Sequence, residues 1–156
     1  MTHETWDPGR AAAVIAAHAA LDGATLPILH ALQETFGYVD HAVIPMIAEV
    51  TNLSRAEIYG VITFYHDFRR EPAGRHVVKL CRAEACQAVG AVALANHAKQ
   101  ALGIDWHETT ADGRVTLEPV FCLGLCACGP AALLDDEPVS GLDPAAFDQR
   151  LAEMRA

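Results

Sequence analysis

The sequence predicts a protein of the mixed α+β or α/β class, with a helical bundle first and a small layer of strands and helices after it. Apolar residues recur at helical spacing in the first part of the chain. A run rich in β-branched residues then begins at His76, and all five cysteines lie beyond position 80. Because residue types and periodicity both change near position 70, we expect two domains, residues 1–70 and residues 71–156.

The first domain is predicted to contain four helices. They run from about Arg10 to Gly23, from Thr25 to Gly37, from Asp40 to about Val50 and from Ser54 to about Phe64. Thr25 and Asp40 are expected to act as N-caps. The segment Ser54-Arg55-Ala56-Glu57 matches a capping box, in which the serine and glutamate side chains bind free backbone N–H groups.

The second domain follows a turn or linker at residues 71–75 and is predicted to have the order β-α-β-β-α. Its elements are a strand at His76–Cys81, a helix from about Cys86 to Leu102, a strand at Val115–Phe121, short strands at Ala131–Leu134 and Pro138–Ser140, and a helix from Asp143 to about Met154. This order fits a small sheet with a helix on each face, and a thioredoxin-like arrangement is the leading candidate.

Charge and composition limit the classes of partner. The chain has 20 acidic and 11 basic residues and a formal net charge of -9, which disfavours binding to nucleic-acid phosphates and anionic lipids. The N-terminal residues lack the features of a signal peptide, and no apolar stretch is long enough to span a bilayer. We therefore expect a cytoplasmic protein with no nucleic-acid partner and no membrane insertion.

Four of the five cysteines form two close pairs, Cys81-x4-Cys86 and Cys122-x3-Cys126. Each pair begins where a predicted strand ends, so the two loops meet if the strands are neighbours. Four thiolates at one point can complete the two tetrahedral irons of a 2Fe–2S cluster. Structural zinc sites mostly use two-residue spacers, so iron–sulfur is favoured and zinc remains the alternative. Cys128 is interpreted as a spare thiol near the site.

Several longer motifs surround these cysteines. They are Leu26–Gln33, Phe36–Val39, Tyr59–Tyr65, Thr110–Leu117 and Cys122–Cys126 with Gly129-Pro130. With them, the sequence resembles the thioredoxin-like 2Fe–2S subunit shared by complex I, NAD-linked hydrogenases and NAD-dependent formate dehydrogenases, over about residues 25–142. The resemblance implies one 2Fe–2S cluster, with Cys81, Cys86, Cys122 and Cys126 as its ligands and Cys128 outside the ligand set.

The resemblance also implies an electron-transfer role inside a larger dehydrogenase. The compact chain, with its segment Tyr65–Arg69, most resembles the gamma subunit of soluble NAD-dependent formate dehydrogenase. Such a chain has no catalytic residues of its own and exchanges electrons with a flavin- and NAD-binding subunit. The equivalent subunit of complex I or of an NAD-linked hydrogenase is one alternative, and a zinc-stabilised, redox-silent scaffold is another.

The aromatic stretch Tyr59–Tyr65 could contribute either to the core or to an interface. Val61, Ile62 and Phe64 are expected to pack inside the bundle. Tyr65 and Phe68 are predicted to contact the flavin-bearing partner, because aromatic residues are enriched at interfaces.

Overall fold

The computed structural model describes residues 3–155 and divides them into two compact units, with the boundary after Pro72. The first unit is helical, and the second contains a five-stranded sheet with further helices. The predicted fold class, helices followed by a mixed α and β layer, is therefore confirmed. The sequence analysis places the boundary two residues earlier, after Arg70. That residues 1–70 and 71–156 are independent domains stays a prediction.

Four helices form the first unit: α1 Pro8–His18, α2 Thr25–Phe36, α3 Val43–Thr51 and α4 Arg55–Phe64. They enclose one apolar core, whose fully buried members include Ile28, Leu32, Val43, Ile47 and Ile58. Within α2 and α3 these residues are four positions apart, which places them on one face of each helix. The apolar periodicity of the sequence thus marks the side of each helix that faces the core.

The first helix is displaced from its predicted position, whereas the fourth begins as predicted. Asp7 caps α1 by accepting the backbone N–H of Arg10 at 2.6 Å, so the helix starts directly after Asp7 and ends at His18. At α4, the hydroxyl of Ser54 accepts the N–H of Glu57 at 3.2 Å, and the Glu57 carboxylate accepts the N–H of Ser54 at 2.8 Å. This reciprocal pair is the capping box that the sequence predicts.

The second and third helices lack the predicted side-chain caps. Thr25 lies inside α2, because Ala24 before it already has helical dihedral angles. Asp40 accepts the N–H of Ala42 at 2.8 Å in the turn that precedes α3, and the helix itself begins at Val43. Asp40 therefore stabilises the approach to the helix and is not its N-cap.

Two aromatic residues at the end of α4 are placed contrary to the prediction. Phe64, expected in the core, is 73% exposed, whereas Phe68, expected at an interface, is only 6% exposed. A turn after α4 carries Phe68 back to the bundle, where its ring lies 5.0 Å from that of His30. Ile62 is buried as predicted, and Tyr65, at 43% exposure, remains accessible to a partner.

A mixed five-stranded sheet forms the second unit, in the order β2-β3-β1-β4-β5. The strands are β1 His76–Cys81, β2 Glu108–Thr109, β3 Val115–Val120, β4 Ala131–Leu134 and β5 Glu137–Ser140. β1 and β3 are parallel neighbours in which Cys81 pairs with Val120, and the other pairings are antiparallel. β3 ends one residue before the predicted end at Phe121. β2 was not predicted, because two residues are too few to show an alternating pattern.

Three helices accompany the sheet: α5 Glu84–Ala88, α6 Ala91–Leu102 and α7 Pro144–Arg155. The sequence predicts a single helix where α5 and α6 lie. The break occurs at Gly90, whose φ of 107° is a left-handed conformation that glycine adopts at little cost. Among the described residues, none of the helices is both long and apolar enough to span a membrane.

The two longer helices lie on the same face of the sheet, which corrects the predicted layer with a helix on each face. Val78 and Leu80 of β1 share one core with Leu94 of α6 and Phe147 of α7, and α6 contacts α7 directly. Cys81 belongs to a separate small cluster. Because side chains alternate along a strand, Cys81 lies on the opposite side of β1 from the main core.

Candidate metal centre

The first cysteine of each predicted pair lies where one of two neighbouring parallel strands ends. Cys81 is the last residue of β1, and Cys122 follows β3 after one intervening residue. The pairing of the strands extends beyond Cys81, because Arg82 donates its N–H to the carbonyl of Val120 at 2.7 Å. The sheet therefore brings both loops to the same edge, which is the arrangement that the predicted site requires.

The second cysteine of each pair lies on a short helix. Cys86 is in α5, and Cys126 begins a 3-10 helix, Cys126–Cys128. The sulfurs of Cys122 and Cys126 are 3.7 Å apart, a separation that suits two sulfurs on one tetrahedral metal with bonds of about 2.3 Å. The thiols of Cys81 and Cys86 are hydrogen-bonded, and Cys126 interacts electrostatically with both. The structure thus brings all four predicted residues together as two pairs.

The two pairs differ in their exposure to solvent. Cys81 and Cys86 are each only 2% exposed and pack with Ala91 and Ala131. Cys122 and Cys126 are exposed. A group held by all four sulfurs would therefore have one side in the protein interior and one side at the surface.

Backbone N–H groups converge on the sulfur of Cys81. Burial by itself raises the pKa of Cys81, but N–H groups of Ala83, Cys122 and Leu123, together with the thiol of Cys86, bring that pKa below its ordinary value of 9.0. Metal ligation requires the thiolate form. These donors also suit an anionic cluster, whose charge is stabilised by hydrogen bonds to sulfur.

The pKa values of Cys86 and Cys126 are raised instead. For Cys86 the main cause is burial, followed by its hydrogen bond with Cys81. For Cys126 the main cause is its hydrogen bond with Cys122, followed by the charge of that neighbour. Thiolates this close together repel one another, so bound cations are needed for all of them to ionise together. The donor set is therefore suited to a metal centre and poorly suited to four free thiolates.

The loop that carries the second pair has two residues in the left-handed region of backbone space. Cys122 has a φ of 76° and Gly124 a φ of 77°. This conformation is unfavourable for a residue with a side chain, and such residues are concentrated at functional sites. The turn allows the N–H groups of Cys122 and Leu123 to reach Cys81.

Gly129 leaves space beside the buried thiol of Cys86. A Cβ at this position would lie 3.0 Å from Cγ2 of Val89 and 3.3 Å from Sγ of Cys86. The sequence motif includes Gly129-Pro130, but its steric role was not predicted. The backbone donors at Ala83 and Leu123 were missed as well, because any residue other than proline supplies an N–H and the residue type gives no signal.

Cys128 is placed differently from the other four cysteines. Its thiol takes no part in the interactions that link those four sulfurs within residues 3–155. Its backbone N–H donates to Leu125 at 3.0 Å, and its carbonyl accepts the N–H of Gly141 at 2.7 Å. Its role as a spare thiol stays a prediction.

Across residues 3–155, no three His, Cys, Asp or Glu side chains are grouped so that they could hold a single metal ion. The four sulfurs are arranged as the two pairs described above. A 2Fe–2S cluster with four cysteine ligands takes two thiolates on each iron, so this pairing fits such a cluster.

Comparison with known proteins identifies relatives in both sequence and structure. An NADH-quinone oxidoreductase subunit of Pseudomonas aeruginosa is 37% identical over 121 residues, which cover 78% of this chain and 73% of the relative. An NADP-reducing hydrogenase subunit of Solidesulfovibrio fructosivorans is 30% identical over 132 residues, which cover 85% of this chain and 77% of the relative.

A solved structure of an NAD+-reducing [NiFe]-hydrogenase, in the air-oxidised state, matches the fold. The TM-score is 0.61 with 26% sequence identity, and the match covers 95% of this chain. It covers only 23% of the hydrogenase chain, so this protein corresponds to a minor part of that longer polypeptide.

The sequence model of the thioredoxin-like [2Fe-2S] ferredoxin family matches residues 11–155. That match includes both cysteine pairs and nearly all of the helical unit. It also decides between the metals that cysteine spacing left open, in favour of iron–sulfur over zinc. The chain belongs to the thioredoxin-like [2Fe-2S] ferredoxin family and carries one 2Fe–2S cluster.

Proposed function

We propose that this chain is the electron-transfer subunit of an NAD-dependent formate dehydrogenase, and that Cys81, Cys86, Cys122 and Cys126 hold its 2Fe–2S cluster. The chain has no catalytic residue of its own and acts in the cytoplasm, where it exchanges single electrons with a flavin- and NAD-binding subunit. The observation that carries this proposal is the convergence of two thiol pairs at the common end of the parallel strands β1 and β3.

Three features of the proposed site support electron exchange. When bound, a 2Fe–2S cluster accepts and releases one electron at a time. N–H groups at Cys81 stabilise negative charge on sulfur. Burial of Cys81 and Cys86 keeps water from one half of the site, while exposed Cys122 and Cys126 leave the other half open to a redox partner.

The names of the relatives support a nicotinamide-linked parent assembly. One is a subunit of an NADH-quinone oxidoreductase, another is a subunit of an NADP-reducing hydrogenase, and the solved structure is an NAD+-reducing hydrogenase. Hydride transfer moves two electrons, whereas a 2Fe–2S cluster moves one. A flavin can do both, so we expect one in the partner subunit.

Formate dehydrogenase is proposed because the segment Tyr65–Arg69 resembles the corresponding segment of the gamma subunit of that enzyme. The second candidate is the equivalent subunit of an NADH-quinone oxidoreductase or of an NAD-linked hydrogenase. The names of the relatives favour this second candidate.

Purification of the tagged chain with its natural partners tests the proposal. We expect a brown assembly that contains a flavin and a molybdopterin subunit and that reduces NAD+ with formate. A nickel–iron subunit would select the hydrogenase, and a quinone-reducing membrane assembly would select NADH-quinone oxidoreductase. A chain that purifies without iron and acid-labile sulfide, or whose iron content is unchanged when Cys86 is replaced by alanine, would contradict the proposed ligand set.

A further inference from the structure

We propose that a groove between α3 and α4 binds an acidic segment of a partner subunit, with an apolar side chain of that segment in the groove and its carboxylate on Arg55. This inference rests on the proposed function, because the partner in question is the flavin-containing subunit. The groove lies wholly within the helical unit and contains no cysteine.

The groove has a volume of about 400 Å³ and a mostly apolar wall. Its lining residues are His41, Ile44, Pro45, Arg55, Ala56 and Tyr59. Ile44 is buried at its base, whereas Tyr59 is 46% exposed and its ring lies 6.2 Å from that of His41. A volume near the low end of the range for binding pockets suits one or two side chains of a partner rather than a large cofactor.

The charge at the rim of the groove favours an acidic occupant. Arg55 is exposed, and no ion pair of its side chain is found in the part of the chain that the structure describes, although acidic residues outnumber basic ones by 20 to 11. The nearby carboxylates are engaged elsewhere. Glu57 binds Ser54 in the capping box, and Asp40 accepts hydrogen bonds from Ala42 and from the hydroxyl of Tyr38. Arg55 is therefore available to a carboxylate from another chain.

The exposed apolar lining of the groove supports a protein segment over a small acid as the occupant. Pro45 and Tyr59 both line the groove and are exposed, so the groove presents apolar side chains to solvent. Aromatic residues and arginine are the residue types that most often contribute strongly to protein interfaces. A free carboxylic acid would leave these apolar side chains exposed, whereas a chain segment can cover them.

The test measures the affinity of the cluster-loaded full chain for the flavin-containing subunit of the isolated assembly. Two variants act on the groove in different ways: Arg55→Glu reverses its charge, and Ala56→Trp fills it. The matched control is Arg75→Glu, since Arg75 is also exposed and its side chain has no ion pair found within residues 3–155. We expect the two groove variants to weaken binding about tenfold or more, and the control to change it about twofold or less.

Ionic strength distinguishes the contribution of the charge of Arg55 to binding from the contribution of the apolar groove. The effect of Arg55→Glu should shrink as ionic strength rises, because salt screens exposed charges, while the effect of Ala56→Trp should persist. Circular dichroism and the visible spectrum establish that each variant is folded and retains its cluster. Should one variant fail that check, the other still decides the question.

The possible failures are distinguishable. If the wild-type chain binds the flavin-containing subunit and neither groove variant weakens binding, the groove is not the contact and the proposed function stands. Equal weakening by Arg75→Glu would show an effect of overall charge and would overturn the inference. A groove variant that changes only the self-association of the chain, as measured by sedimentation, would also overturn the inference. If the wild-type chain binds no flavin-containing subunit, the proposed function fails, and this inference fails with it.

Discussion

Cys81 and Cys128 have the same side chain but very different surroundings. Cys81 is buried at the end of β1, where N–H groups from Ala83, Cys122 and Leu123 converge on its sulfur. Cys128 is exposed, and its described hydrogen bonds are those of its backbone. Burial and hydrogen bonds around a cysteine sulfur influence how well it binds a metal. Because Cys81 has both and Cys128 is exposed, we expect the two cysteines to behave differently toward the cluster.

This difference predicts opposite results for substitutions at Cys128 and at Cys126. Cys128→Ser should retain the visible absorption bands and the two irons per chain that a 2Fe–2S cluster requires. Cys126→Ala, at the first position of the same 3-10 helix, should lose most of the visible absorption and most of the iron, because alanine cannot replace the proposed sulfur ligand. The visible spectrum and an iron assay on both proteins measure this. Bleaching of Cys128→Ser would place Cys128 in the ligand set.

Gly129 gives a second prediction, because it leaves space beside Cys86. In Gly129→Ala the new methyl group would contact Val89 at 3.0 Å and the sulfur of Cys86 at 3.3 Å. We expect this overpacking to cost about 1–3 kcal/mol of unfolding free energy. It should also accelerate loss of the cluster to a chelator, followed by the decay of visible absorption.

The double variant Val89→Ala with Gly129→Ala is the matched control. It removes the closer of the two contacts, so most of the stability and of the cluster lifetime should return. If the double variant is as unstable as Gly129→Ala alone, crowding against Val89 is not the cause. A normal cluster lifetime in Gly129→Ala would show that the neighbours shift without strain.

At the level of elements, the sequence predicts what local chemistry determines. The capping box at Ser54 and Glu57 is satisfied by residues three positions apart, so it could be predicted directly. Asp7 before a proline is a comparable local signal for the start of α1, but the predicted helix begins only at about Arg10. The break at Gly90 was missed because its neighbours on both sides favour helix.

Other features depend on contacts between distant residues and could not be predicted. Phe68 is buried by a turn that returns it to His30, and the spacing of aromatic residues does not reveal that turn. The placement of α6 and α7 on one face follows from how the chain crosses the sheet. At the site, cysteine spacing singled out the two pairs that the fold places near each other, whereas the N–H donors and the space at Gly129 depend on the folded backbone.

The capping box predicts a stability change that depends on pH. Ser54→Ala should lower the unfolding free energy by about 1 kcal/mol at neutral pH. The backbone N–H and then the hydroxyl of Ser54 hold the pKa of Glu57 below its ordinary value of 4.5. Because this pKa is lower in the folded state, the ionised carboxylate stabilises the protein above pH 4.5. That stabilisation is lost as the pH falls through the folded-state pKa.

The difference in stability between wild type and Ser54→Ala should therefore narrow at acidic pH. Denaturant unfolding of both proteins at neutral pH and at a pH below 4.5 measures it, and the comparison cancels any common effect of acid on the metal site. Ser54→Thr retains the hydroxyl and should remain close to wild type. A difference that is constant with pH would show that Glu57 does not contribute through its charge.

At the scale of the whole molecule, the two units have separate apolar cores. One core is built from residues between Ala11 and Phe68, and the others from residues between Val78 and Leu151. All five cysteines lie in the second unit. Because metal binding contributes to the folding of the unit that supplies the ligands, the cluster should stabilise the two units unequally.

Removal of the cluster tests this asymmetry and the predicted domain boundary near residue 70. After iron chelation we expect amide hydrogen exchange to accelerate in β1, β3 and α5, which hold or adjoin the cysteines. Exchange in α2 and α3, whose core contains no ligand, should remain within about twofold of the holoprotein value, because local opening follows the stability of each cooperative unit. A Cys86→Ala variant, once an iron assay establishes that it lacks the cluster, provides the same comparison without a chelator. Equal acceleration in both units would mean that the chain unfolds as one cooperative domain, and the division near residue 70 would then have no thermodynamic meaning.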